Sequence, residues 1–335
     1  MKNFFKRLFG ANAPEALIDT AESVIPPPND TPLENSLPIS DINAIVMSDV
    51  GNIRQNNEDT GLFVRLADEG IRRTKGYLLL VADGMGGHLA GEVASQMAAE
   101  IVNREYVAHR DTIEKSLMRA FQVANRQIFD EAQQHDAFRG MGTTCTAIVV
   151  HEQQLYFAHV GDSRAYLFKA GQLVQLTEDH TYIQELLRSG ELTPAAAANH
   201  PNRNVLTQAM GTKASVRIDV GRCLLPFDMG DRLLLCSDGL YEYCTEADLI
   251  QFLSLENLPD AAEKLIDMAK TRGGHDNITV VLAERLAADQ KEASKETREI
   301  DLPFTREIVL EQNADGLVSR NEKKKQEQKD VNQKP

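Results

Sequence analysis

Residues 144–176 read TCTAIVVHEQQLYFAHVGDSRAYLFKAGQLVQL, and their period decides the fold class. Runs at 144–150, 154–160, 165–169 and 173–176 have strand length and are rich in Val, Ile, Thr, Tyr and Phe. Turns such as Glu152-Gln153 and Ala170-Gly171-Gln172 join them. Parallel strands need a crossover of about a dozen residues, so connections this short require antiparallel pairing.

Working outward, further strands are predicted at 45–47, 61–66 and 77–82, the last apolar enough to be buried on both faces. Two amphipathic helices follow. One lies near 91–109 with Val93, Met97 and Ile101 four apart, the other near 112–134 with Ile113, Leu117, Phe121, Ala124 and Ile128 on one stripe. Asp111 and Glu114 resemble a capping box at the start of the second. Downstream, strands are expected at 216–223, 232–236 and 278–283, and helices at 247–253 and 259–271. Antiparallel strands with inserted helix pairs give an α+β layered sandwich, not a doubly wound parallel sheet.

The flanks differ in composition. Pro14, Pro26-Pro27-Pro28, Pro32 and Pro38 mark residues 1–41 as an N-terminal segment and Pro-rich linker. From 285 to 335 the chain turns polar, and a disordered tail is expected there. The folded unit therefore spans 42–284. With 50 acidic against 36 basic side chains the formal charge is -14, which argues against nucleic acid as a partner. No apolar run is long enough to cross a bilayer, and 1–10 lacks the pattern of a signal peptide. Cys145, Cys223, Cys236 and Cys244 show no CxxC spacing, so buried reduced thiols and a cytoplasmic location are expected.

Four acidic clusters sit at strand ends or turns: Asn57-Glu58-Asp59, Asp83-Gly84-Met85-Gly86-Gly87-His88, Ser237-Asp238-Gly239 and His275-Asp276-Asn277. A carboxylate leaving a buried strand is held rigidly, and a glycine after it lets a backbone carbonyl approach an ion. Oxygen ligands of this kind suit Mg²⁺ or Mn²⁺ better than zinc. Any one Asp-Gly alone reads more readily as a plain turn.

Together the motifs are far more specific. Asp49-x-Gly51-x-x-Arg54-x-x-Asn57-Glu58-Asp59, Asp83-Gly84-Met85-Gly86-Gly87-His88, Gly142-Thr143-Thr144, Gly161-Asp162-Ser163-Arg164, Ser237-Asp238-Gly239-Leu240 and Asp276-Asn277-Ile278-Thr279 occur in that order. Over residues 45–284 the chain resembles the bacterial branch of the metal-dependent serine/threonine protein phosphatases of type 2C. The resemblance implies a four-layer α-β-β-α sandwich of two antiparallel sheets flanked by helix pairs, and two or three Mn²⁺ or Mg²⁺ ions per chain. It implies that Asp83 bridges two ions, that Asp238 and Asp276 complete the first site, and that the Gly84 carbonyl and Glu58 serve the second. Asp162 with Asp238 would form a third. Asp59 would orient water, and Arg54 would bind the substrate phosphate. Where eukaryotic members commonly carry a His, this chain has Met85; His88 is the general-acid candidate, with a plain glycine-turn residue as the alternative. Ser163 and Arg164 read as structural.

The implied reaction is hydrolysis of phosphoserine and phosphothreonine in proteins by water activated at the ions, without a covalent intermediate. Phosphoproteins, with an opposing Ser/Thr kinase, are the expected partners of a monomer. Residues 177–211 match the family's flap, a long loop that is the candidate for choosing substrates. No Cys-x5-Arg, GxSxG or GxxxxGK[ST] pattern supports a rival hydrolase. The alternative of another class is an inactive phosphatase-like binding module, which should lack the metal aspartates. Two tail readings complete the picture. Phe4, Phe5, Leu8 and Phe9, with Lys2, Lys6 and Arg7, give residues 1–10 the pattern of a weak membrane anchor, which would make the protein peripheral to the inner membrane; a frayed end or a protein contact is the alternative. Thr297-Arg298-Glu299-Ile300 and Thr305-Arg306-Glu307-Ile308 resemble phosphothreonine motifs read by forkhead-associated domains. The alternatives there are chance repetition or an amphipathic strand through Ile308 and Leu310 that packs on the domain.

Overall fold

The structure, a computed structural model, describes residues 42–66, 68–87, 89–197, 200–286, 307–313 and 316–319. Strands β1 (Ile42–Asp49) and β2 (Asp59–Leu66) precede a short helix, α1 (Glu69–Lys75), and then β3 (Tyr77–Met85). The long helices α2 (Leu89–Ala108) and α3 (Ile113–Gln134) follow. A run of strands comes next: β4 (Gly142–Thr143), β5 (Cys145–His151), β6 (Gln154–Val160), β7 (Arg164–Lys169) and β8 (Gln172–Gln175). After the short helices α4 (Tyr182–Ser189) and α5 (Pro194–Ala197) come β9 (Asp219–Arg222), β10 (Arg232–Cys236), α6 (Asp238–Tyr241), α7 (Glu246–Leu253), α8 (Leu258–Thr271) and β11 (Ile278–Arg285). Two strands, β12 (Glu307–Asn313) and β13 (Gly316–Ser319), end the described chain.

One sheet has the order β1-β11-β10-β7-β8 and the other β13-β12-β2-β3-β5-β6-β9, with β4 paired to β3. Three apolar cores separate the layers. Leu79, Val81, Ile148, Leu233, Leu235 and Val281 fill the space between the sheets. Leu78, Leu80, Ala147 and Val149 face α2 and α3, while Leu234, Val280 and Leu282 face α7 and α8. Successive side chains on β3, β10 and β11 therefore point into different cores, which is why these strands are apolar without alternation. The expected α-β-β-α sandwich is the observed one.

The differences are local. The α3 stripe is buried as expected, but Thr112 caps the helix, its hydroxyl accepting from the Lys115 amide; Asp111 lies one residue too early. On α2 the deepest face is Ala90, Ala94, Ala98 and Val102, so the helix lies close to its sheet, with Val93 and Met97 on its shoulder. The strand expected at 216–223 is only β9. The tail also departs from the disordered segment expected at 285–335. Its β12 pairs in parallel with β2, Glu307 opposite Phe63 through Leu310 opposite Leu66, and β13 turns back on β12. That backbone arrangement accords with the strand alternative for Ile308 and Leu310. Thr297, Thr305 and residues 1–10 lie outside the described residues. The four cysteines are free and buried, and burial raises their thiol pKa values. Among the described residues no helix is long and apolar enough to cross a membrane.

Candidate metal and phosphate site

At one end of the sandwich the sheet ladders deliver carboxylates to a common point. Asp59 opens β2 directly opposite Asp83 near the end of β3. Side chains so paired stand about 5 Å apart, where like charges repel. Asp83 is gripped by its backbone: its N–H donates to Thr144 Oγ1 at 2.9 Å, and its carbonyl accepts from the Thr143 hydroxyl at 2.9 Å and the Thr144 amide at 2.9 Å. Thr144 in turn shares a 2.6 Å hydrogen bond with Ser163, so the Gly142-Thr143-Thr144 and Gly161-Asp162-Ser163 motifs meet behind Asp83. Ser163 is fully buried in this role.

Asp238 begins α6 immediately after β10, and Asp276 sits just before β11. Ser237 accepts from the Thr279 amide at 3.0 Å, which leaves its hydroxyl proton to donate to Asp59 Oδ2 at 2.7 Å. Asn277 is the other organiser. Its Oδ1 accepts from the Glu58 amide at 2.8 Å, and its Nδ2 donates to the carbonyls of Val50 and Asn56 at 3.0 Å each. This buried amide ties the loop carrying Arg54, Glu58 and Asp59 to the strand behind Asp276. Glu58 lies over two glycines: a Cβ at Gly91 would overlap its carboxylate, and one at Gly84 would overlap the Gly91 carbonyl. Any side chain at either position would push Glu58 out of the site.

The electrostatics follow from this crowding. Withdrawal from water raises Asp59 to about 6, with Ser237 and Thr279 opposing and Asp276 and Glu58 adding to the shift. Desolvation, then the charges of Asp59, Asp238, Asp162 and Asp276, hold Asp83 well above the usual carboxylate range. Asp238 is raised well above it by desolvation and by Asp162, Asp276 and Glu242. Asp162 is lifted to about 7 by desolvation and Asp179, against the pull of Arg164. Asp238 Oδ1 is buried without a hydrogen-bond partner. Arg54 donates to Asp276 Oδ2 at 2.8 Å.

Mutually repelling carboxylates and an orphaned buried oxygen fit a divalent cation bound by hard oxygen donors. Among the described residues no three acidic, His or Cys side chains already stand as a finished ligand set. Asp276 is turned onto Arg54 and Asp59 onto Ser237. His88 lies outside the described residues. Arg164 is a structural ion pair, its guanidinium binding Asp179 at 2.7–3.1 Å and stacking 3.6 Å over Tyr241.

The sequence reading missed His180 and Asp219. The His180 amide donates to the Gly161 carbonyl at 2.6 Å, and the Gly161 amide donates back to His180 Nδ1 at 3.2 Å. That leaves Nε2–H to face Asp219 at 3.1 Å. The base of the flap is thus clamped to the residue before Asp162. Nothing in the local pattern around Asp179-His180-Thr181 marked it, because its partners lie 19 and 39 positions away.

A family model described as protein phosphatase 2C matches residues 67–289. The chain belongs to the protein phosphatase 2C family. The serine/threonine phosphatase stp of Listeria innocua is 40% identical over 244 residues, covering 71% of this chain and 94% of that relative. Protein phosphatase PhpP of Streptococcus pneumoniae is 36% identical over 242 residues, covering 71% and 95%. The S. agalactiae serine/threonine phosphatase structure superposes with a TM-score of 0.67 at 35% identity, covering 73% of this chain and 99% of that one. The catalytic domain of the phosphatase PstP, solved in complex with two manganese ions, gives 0.61 at 32%, covering 73% and 99%. This 2C-type chain is therefore a metal-dependent serine/threonine protein phosphatase, and phosphoproteins are its substrates.

Proposed function

We propose that the acidic end of the sandwich is the catalytic centre of the catalytic domain, residues 42–284, and that its residues divide the work as follows. Asp83, Asp238 and Asp276 hold one Mn²⁺ or Mg²⁺; Asp83, Glu58 and the Gly84 carbonyl hold a second; Asp162 with Asp238 holds a third. The observation that carries this reading is that Asp59 pairs across the ladder with Asp83, the charges of Asp59, Asp162, Asp238 and Asp276 all bear on Asp83, and Asp238 Oδ1 is buried without a hydrogen-bond partner. When bound, the ions lower the pKa of a water and neutralise charge on the phosphoryl oxygens.

The chain's own residues do the rest. Arg54 lies at the rim with its side chain half exposed, and its planar fork binds two phosphate oxygens once it turns from Asp276. Asp59, with Oδ2 engaged by Ser237, has Oδ1 to orient the attacking water and take a proton. An opposing kinase supplies the phosphorylated protein.

Asp238→Asn tests the assignment. It keeps the shape while removing a charge shared by two ion sites, so manganese-dependent hydrolysis of an aryl phosphate should fall at least a hundredfold with the fold intact by circular dichroism. Activity within threefold of the parent at saturating manganese would contradict the assignment. Asp162→Asn should lower turnover and leave two manganese ions bound by calorimetry.

A further inference from the structure

Among the described residues five large apolar side chains are exposed: Ile53, Tyr182, Val205, Leu224 and Met229. They divide by position. Leu224 and Met229 flank a loop pinned to the far turns of the sheets, where the Phe227 amide donates to the Gln153 carbonyl and Lys169 reaches Asp228. The other three belong to the acidic end. Ile53 immediately precedes Arg54. Tyr182 and Val205 stand together on the flap, the Tyr182 amide donating to the Val205 carbonyl at 2.8 Å beside a bridge between Thr181 and Leu206. The Tyr182 ring also lies 6.5 Å from His200.

A short chain of contacts fixes this pair beside the carboxylates. Next to Val205, the Asn204 side-chain Nδ2 donates to Glu242 Oε1 at 2.6 Å, and Arg203 Nε approaches the same oxygen at 3.8 Å. Glu242 closes α6, its backbone amide donating to the Asp238 carbonyl at 3.0 Å. Glu242 thus stands one helical turn from Asp238, where side chains four apart share a face. The flap is thus held at both ends, by His180 on Gly161 and by Asn204 on Glu242, and its exposed apolar pair lies about one residue from the latch.

We propose that Tyr182 and Val205, aided by Ile53 beside Arg54, form an apolar rim that takes a large apolar side chain next to the phosphorylated residue of an extended substrate peptide. The proposal rests on the catalytic reading above, because the occupant is the peptide whose phosphate that centre holds. Neighbouring residues of an extended strand are about 3.8 Å apart at Cα, so the residues flanking the phosphorylated one run over the elements that border the acidic end, the flap among them. The phosphate's charge is answered by Arg54 and the ions. The rim adds affinity only where an apolar side chain meets it, which makes it a device for choosing among phosphoproteins.

The test is binding of nonhydrolysable phosphonate analogues of phosphothreonine peptides to the manganese-loaded full chain, by fluorescence anisotropy. One peptide carries Leu on both sides of the phosphonate residue, the other Ser. The parent should bind the Leu peptide about tenfold more tightly. Val205→Thr keeps the branched shape and loses apolar surface, and it should reduce that preference. Tyr182→Ser with Val205→Ser should reduce it below about threefold. Aryl phosphate hydrolysis should stay within twofold of the parent in both variants, which also shows that they fold. Equal affinity of the parent for the two peptides, or an unchanged preference in the double variant, overturns the rim. Loss of aryl phosphate hydrolysis in the parent itself would instead strike the catalytic reading, and the affinity ratio would still decide the rim.

Discussion

Asn277 carries no charge, yet three of its four amide hydrogen-bonding positions are filled by backbone groups of the 50–58 loop. Replacing it with alanine leaves a buried amide and two carbonyls without partners, so Asn277→Ala should cost about 2–4 kcal/mol of stability in urea unfolding. It should also raise the manganese concentration needed for half-maximal activity, because Glu58 and Asp59 lose their anchor. An unchanged manganese requirement would show that the loop holds itself. The acidic residues were legible in the sequence because each sits at a strand end or turn in a distinctive context, Asn-Glu-Asp, Asp-Gly, Gly-Asp-Ser or His-Asp-Asn. The residues that hold them were not. Ser237 and Asn277 stood inside the quoted motifs without a role, since a hydroxyl or amide has no meaning until its partner, Asp59 or the Glu58 amide, is folded against it. His180 and Asp219 had no motif at all. The site's charges are readable one at a time; its supports are pairings between distant positions.

At the scale of elements, strand period and turn length were enough to give antiparallel pairing and the helix pairs. The register adds a detail that composition hid. In the two-residue turn between β7 and β8, Lys169 opposite Gln172, Ala170 adopts φ 51 and Gly171 φ 76. Both are left-handed, the conformation in which a Cβ is penalised and glycine or asparagine is favoured. Ala170 is exposed, so Ala170→Gly or Ala170→Asn should stabilise the protein by about 0.5–1 kcal/mol with no change in turnover. A neutral or destabilising result by thermal melting would mean that the turn carries no strain. The C-terminal strands show the opposite limit. Residues 307–313 offered a strand through Ile308 and Leu310 only as one alternative, and β12 lies along the outer edge of β2, which offers a row of backbone groups to pair with. An edge is a property of the finished sheet, invisible in the sequence of the segment that covers it.

For the whole molecule, the repelling carboxylates set the sign of two linked equilibria. A carboxyl group whose folded pKa exceeds its unfolded value keeps its proton in the fold at a pH where the unfolded chain has released it. Ionisation then favours unfolding, and stability falls as pH rises through the window. Here the window opens above the ordinary value of 3.8 and runs through about 6 for Asp59 and about 7 for Asp162, with Asp83 and Asp238 shifted in the same direction. Asp248, lowered by its hydrogen bonds with Arg272 and Thr245, contributes with the opposite sign, but its effect is confined to pH below the ordinary carboxylate value. His159, which burial holds down at about 3 against the ordinary 6.5, also opposes the raised carboxylates, but only up to about pH 6.5. Below that pH four raised carboxylates act against one imidazole and above it they act without it, so they dominate from pH 5 to 8. In EDTA the melting temperature should drop by about 5 °C or more across that range. A divalent ion binds the ionised carboxylates in competition with those same protons, so its affinity should rise with pH. With millimolar manganese the slope should vanish or reverse, since the charges that push the metal-free site apart are the ones the ions bind. A melting temperature in EDTA that is flat or rising from pH 5 to 8 would mean that these carboxylates do not crowd one another, and would remove the electrostatic reason for placing ions among them.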